Sequence, residues 1–201
     1  MNAIEIPQRP TRHFLAEDFK VSSWEQIKPL FDNLLEREIA SVDDLKKWFL
    51  DRSELESVLS EDLAWRYINM TCYTDNDQYR TRYQDFIENI QPQIAPVADQ
   101  LNKKAAASPS LDTLSKQQGY DLMIRNLKKE IEIFREQNVP LFTEMSTESQ
   151  KFAQINGAMS VEIDGKEMTL QQASVLLQST DRSKREDVYT RIVDRRLSDK
   201  D

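Results

Sequence analysis

His13 and Cys72 are the only imidazole and the only thiol in the chain, so zinc or thiol chemistry would have to be built around them. Zinc takes three or four ligands, drawn mainly from His, Cys and carboxylates. No H-E-x-x-H occurs, and a site made only of carboxylates suits calcium or magnesium better. No metal or cofactor is therefore expected to be held by these residues alone. His13, in RHFLAEDF, adjoins an apolar pair and has no second histidine to join it, which reads as a surface or packing residue at a segment junction. Cys72 closes an apolar helical stripe and reads as a small core residue with no basic group near in sequence to activate it.

The carboxylates are many but dispersed. Asp and Glu number 35 against 27 Lys and Arg, and they alternate with bases along helix faces. Glu130 to Glu136 (EIEIFRE) reads as a solvated face, and no acid pair in an apolar pocket is visible. No glycine-rich phosphate loop and no G-x-S-x-G occurs. The run Arg182, Lys184, Arg185, Arg191, Arg195, Arg196 is interleaved with acids, so helical ion pairing explains it better than phosphate binding. A net charge of −8 argues against a nucleic-acid partner. No run reaches the ~20 apolar residues of a membrane span. The N-terminus lacks a secretory pattern and a single cysteine excludes an internal disulfide, which together point to the cytoplasm.

These residues must be carried by helices. Apolar residues make up 39% and charged residues 31%, with three glycines, a balance that favours long amphipathic helices. Residues 1–12, with two prolines and no period, read as an extended arm. Ser22-x-x-Glu25 offers a capping box for a first helix that Pro29 should kink or restart. Ser41-x-x-Asp44 opens a second, whose stripe of Leu45, Trp48, Phe49, Leu55, Leu59, Leu63, Tyr67 and Met70 predicts burial to about residue 72. Thr74-Asp75-Asn76-Asp77 forms the turn and next N-cap. A third helix follows Tyr79, Tyr83, Phe86, Ile90, Ile94, Val97 and Leu101, bent at Pro92 and Pro96. A fourth follows Tyr120, Ile124, Leu127, Ile131 and Phe134 to Asn138-Val-Pro140, and a fifth runs to Asn156-Gly157. The expected architecture is mainly α: long antiparallel helices in a bundle over 13–157, then a hairpin and further helices over 158–201.

The hairpin is the exception to the helical pattern. In AMSVEIDGKEMTLQQA, Met159, Val161 and Ile163 alternate with polar residues, as Met168 and Leu170 do around Thr169. An Asp164-Gly165 turn pairs Val161 with Met168 and Met159 with Leu170, and sets Glu162 across from Glu167. A two-stranded hairpin is marginal alone, so its apolar face needs a cover. Thr169-x-x-Gln172 caps a short helix, and a last helix from Thr180-Asp181 carries Tyr189, Val193 and Leu197 on one face. It stops at Asp201 without a helix-ending signal, as a chain cut from a longer one would.

Three stretches carry a family resemblance: RHFLAEDFKVSSWEQIKPLFDNLLERE, DRSELESVLSEDLAWRYINMTCYTDND and GAMSVEIDGKEMTLQQASVLLQSTDRSKRE. They resemble, in order, the N-terminal part of oligoendopeptidase F-type enzymes, relatives of the thimet oligopeptidase-like zinc metallopeptidases. The resemblance implies a longer, mostly helical protein that encloses a channel for short peptides between two halves. It implies zinc held in the C-terminal half by the histidines of H-E-x-x-H and a downstream glutamate, with the motif's glutamate activating zinc-bound water. None of those residues has a counterpart here, so no catalytic or metal residue is carried over and the chain alone is expected to be inactive. Its implied role is the non-catalytic wall of the channel. The implied partners are a catalytic domain in cis and short peptides; the isolated chain is expected to self-associate through uncovered apolar surface. The residues expected at the channel lip are Met159, Val161, Ile163, Asp164, Gly165, Met168 and Leu170. The alternative is a stand-alone helical interaction protein descended from such a domain.

Overall fold

The computed structural model describes residues 11–73 and 76–198. Helices dominate, with one antiparallel two-stranded hairpin. The chain divides into two compact units, Met1–Thr143 and Glu144–Asp201. Each has its own buried core.

In the first unit, α1 (Trp24–Glu36) leads into α2 (Val42–Cys72), and α3 (Asp77–Asp85) continues through a π turn (Phe86–Ile90) into α4 (Gln91–Ala106). A short α5 (Leu111–Leu114), absent from the sequence reading, precedes α6 (Tyr120–Ile133). The α2 and α3–α4 runs are antiparallel, since Arg66 reaches the carbonyl of Arg82 while Arg52 reaches Asn102. Asn102 in turn donates to Glu130 of α6 at 3.0 Å. Trp48 is fully buried among Phe31, Leu34 and Leu45, and its indole N–H donates to the Leu34 carbonyl at 2.8 Å. That bond satisfies the polar edge of a side chain whose burial stabilises the core by about 2–3 kcal/mol.

Local expectations hold at some helix ends and move at others. The capping box of Ser41 with Asp44 is formed. At α1 the cap is displaced by one residue: the helix starts at Trp24, Ser23 stands at the N-cap without a side-chain bond, and Ser22 bonds Gln26 through N and Oγ at 2.9 Å. Gln26 occupies the third helical position, so it reaches back where Glu25 was expected to. Pro29 is accommodated within α1. Asn76 caps α3 by accepting from the Gln78 N–H; Thr74 and Asp75 of the predicted turn lie outside the described residues, as do residues 1–10 of the predicted arm.

Pro92 lacks an N–H, and its ring would press on the carbonyl four residues back in a regular helix. The π turn resolves this: the Gln91 N–H bonds the Phe86 carbonyl, and Pro92 falls in the first turn of α4. The α6 helix ends at Ile133, and Pro140 opens the next helix instead of closing this one. Proline suits that first turn because the N–H there has no partner in the helix. The α2 stripe is buried only as far as Leu59, while Tyr67 is 49% exposed. Its partner over the far half is α3, which buries no residue of its own.

The second unit holds most of α7 (Val139–Ala158), β1 (Ser160–Ile163), β2 (Lys166–Thr169), α8 (Leu170–Val175) and α9 (Arg182–Ser198). Ser160 pairs with Thr169, Val161 with Met168, Glu162 with Glu167 and Ile163 with Lys166. Thr169 and Gln172 form the expected capping box at α8. The face of α9 differs from expectation: Val188 and Ile192 are buried, whereas Tyr189 and Leu197 are 62% and 56% exposed. Two residues one turn apart suffice because α9 crosses a narrow target, the hairpin and α8. No described helix is long and apolar enough to cross a membrane.

Candidate functional site

The hairpin's apolar face is covered by its own chain. Met159, Val161, Ile163 and Leu170 are buried against Ala173 of α8 and Val188 and Ile192 of α9, with Met168, Leu176 and Leu177 packed at the margin. The cover this face was expected to need is thus supplied by the helices α8 and α9. Asp164 (φ 54°) and Gly165 (φ 72°) form the turn with two left-handed residues, the twist a tight antiparallel hairpin requires. Lys184 Nζ bonds the Asp164 carboxylate at 2.9 Å, and Arg191 donates to the Glu162 carbonyl at 3.1 Å. Both tie the hairpin to α9. Glu162 and Glu167 face solvent as a like-charged pair, and the Ser160 hydroxyl donates to Glu167 at 2.6 Å. The seven hairpin residues therefore divide: the apolar ones are brought together as core, and Asp164 and Gly165 stand exposed at the tip.

The basic run is divided among roles. Arg191 pairs with Asp187 one turn earlier at 2.9 Å, as helical ion pairing predicts. Lys184 goes to the hairpin, and Arg185 donates to the carbonyls of Ser179 and Thr180 before the helix.

Two clefts mark the first unit. One, of about 660 Å³, lies between the segment 17–22 and helices α2 and α3, with Asp18, Lys20, Trp65, Asn69, Tyr79 and Arg82 on its walls. The other, of about 710 Å³, is mostly apolar and runs from His13 past Leu50 and Glu54 to Val58. Between them the polar side chains are structural. Arg66 donates to Asp62 at 2.6 Å, to the Arg82 carbonyl at 2.8 Å and to the Val21 carbonyl at 3.0 Å, and lies over the Phe86 ring. It thereby joins the N-terminal segment to both long helices. The Glu54 carboxylate accepts the backbone N–H groups of His13, Phe14 and Leu15 at 2.8, 3.0 and 2.7 Å.

Neither residue was singled out in the sequence. The Asp62–Arg66 spacing signals an ordinary surface pair, and nothing local shows that Arg66 will meet carbonyls from residues 21 and 82. Three consecutive donors converging on Glu54 depend likewise on a contact across about forty positions.

The first cleft gathers acids and bases together, Asp18, Asp62 and Asp85 with Lys20, Arg66 and Arg82. The His13 side chain is exposed, and the residue's backbone N–H donates to Glu54. Cys72 is exposed at the end of α2, a correction to the core position expected for it. The reason is the same loss of burial that leaves Tyr67 open. Among the described residues, no three His, Cys, Asp or Glu side chains gather as a metal site would require.

The helices from α1 to α6 decide the family. A family model described as the peptidase M3 N-terminal domain matches residues 14–134, more than half of the chain. The chain belongs to this family. No curated protein and no solved structure matches it. As an M3 N-terminal domain it is a non-catalytic part of an M3 peptidase. The match covers α1 to α6, whereas α7, the hairpin, α8 and α9 lie beyond it.

Proposed function

We propose that this M3 N-terminal domain forms one wall of the substrate channel of an oligoendopeptidase F-like zinc metallopeptidase that hydrolyses short peptides. Its family membership over residues 14–134 carries the reading, together with the oligoendopeptidase F-like wording of residues 157–186 beyond that match. Zinc, the general base and the scissile bond belong to a catalytic domain outside these residues. The contribution of this chain is steric: it limits what reaches the catalytic domain and keeps bulk water from it. The hairpin serves as a lip of that channel. With its apolar face turned inward onto α8 and α9, the lip presents Asp164, Gly165 and the outward carboxylates of Glu162 and Glu167. The enzyme acts in the cytoplasm, in keeping with a single, unpaired cysteine.

The test is peptide turnover. The purified chain with zinc is expected to leave a fluorogenic octapeptide intact. The same chain combined with the catalytic domain of its peptidase is expected to restore cleavage of short peptides but not of a folded protein. Chelator-sensitive turnover by the chain alone would overturn the reading. So would a catalytic domain whose size selectivity is unaffected by this chain.

A further inference from the structure

The helix α7 spans 20 residues and buries one of them, Gln150. A helix with this much Ser, Thr and Gln does not persist on propensity; helical stability in proteins comes from packing an apolar face. Leu141, Met145, Phe152 and Ile155 are 55%, 62%, 71% and 53% exposed. With Glu148 they recur at alternating intervals of four and three, the spacing of a heptad seam. At about 100° per residue these five positions fall within roughly 40° either side of Leu141, with Gln150 on the opposite side of the helix.

We propose that this seam docks a single amphipathic helix of the peptidase catalytic domain, and that this helix places a lysine or arginine opposite Glu148. The spacing sets the shape of the partner. A strict alternation of four and three packs against another helix at about 20°, with each apolar side chain entering a hole between four residues of the partner. Charge sets its identity. Glu148 stands at the middle of the seam, held from the flank by Lys151 at 2.6 Å. Two copies of α7 paired about the seam's centre, parallel or antiparallel, would oppose Glu148 to Glu148. Like charges at such a position disfavour the pairing, whereas a cation there completes it.

Area points the same way. The four apolar side chains leave open roughly 500 Å², the size of the largest apolar patch on a typical monomer, which is often functional. That is less than the ~800 Å² per partner of a free-standing complex. Counted on both faces it is about 1,000 Å², within the ~600–1,500 Å² of an interface between domains of one protein. The choice of the catalytic domain rests on the function proposed above; the seam and its helical, cationic complement do not.

Hydrogen exchange on the full chain, with and without the separately expressed catalytic domain, tests both parts. Protection of amides 141–155 by at least tenfold is expected on adding the domain. The double substitution Met145→Ser and Phe152→Ser is expected to weaken binding more than tenfold without altering the circular dichroism of the chain, since both side chains are already exposed. Glu148→Lys is expected to weaken it as well, with recovery when a lysine or arginine of the docking helix is exchanged for glutamate. Binding that leaves 141–155 unprotected and ignores these variants overturns the seam and leaves the proposed function standing. Failure of the catalytic domain to bind overturns the proposed function and the partner with it. Protection that grows with chain concentration alone, with a dimer in sedimentation, overturns the hetero-partner in favour of a second copy.

Discussion

The carboxylate of Glu54 holds the backbone of residues 13–15 in place, and its own titration reports on that contact. Burial pushes the carboxyl upward, but the N–H donors of His13, Leu15 and Phe14, with the charge of His13, outweigh it and hold the group below its ordinary value. A depressed folded-state value contributes stability above the unfolded carboxyl's range, and that contribution is lost as pH falls through the folded value. Stability of the first unit is thus expected to drop on acidification from about pH 5 downward, through the ordinary Glu range. Glu54→Gln, which keeps one acceptor and removes the charge, is expected to flatten that slope in urea titrations at successive pH values. An unchanged slope would show that residues 13–15 are held by something else. Arg66 likewise ties down backbone, donating to the carbonyls of Arg82 and Val21.

At the scale of elements, the hairpin was the most legible part of the chain and its cover the least. An Asp-Gly pair between alternating apolar residues fixes both turn type and register, because only two residues must adopt left-handed backbone. The observed pairing of Val161 with Met168 and Glu162 with Glu167 follows from that alone. Gly165 at φ 72° meets nothing within 4 Å where a Cβ would stand, so Gly165→Ala is strained by backbone conformation and not by contact. Its expected cost is about 1 kcal/mol in chemical denaturation of the second unit. A loss several times larger would mean that the turn packs more tightly than its open surroundings allow. The face of α9 was misread for a reason of the opposite kind. Tyr189, Val193 and Leu197 form an apolar row as regular as Val188 and Ile192, and only the position of the hairpin chooses between them. The same limit applies to α2, whose stripe continues past Leu59 while the helix facing it turns polar. Periodicity identifies faces; it does not supply their partners. The candidate site shows this most clearly. Its exposed tip, Asp164-Gly165, could be read from the turn, but Lys184 and Arg191, which anchor it, could not.

At the scale of the molecule, the two units have separate cores, one from Leu15 to Leu127 and the other from Met159 to Ile192. Cooperative unfolding follows shared buried contacts, so cores without common residues are expected to melt as two transitions instead of one. The second unit has far fewer buried apolar side chains, and a unit of under sixty residues buries a smaller share of its surface than a larger one. It is therefore expected to melt first. Substitutions can assign the transitions. Leu170→Ala, at a side chain 2% exposed, is expected to lower the first transition by about 2–4 kcal/mol and leave the second in place. Leu55→Ala, fully buried in the first unit, is expected to do the reverse with a similar magnitude. A single calorimetric transition moved equally by both variants would mean that the units fold as one. Two transitions would mean that the unit carrying the hairpin loses its core while α1 to α6 keep theirs, because no buried side chain is shared between the two clusters.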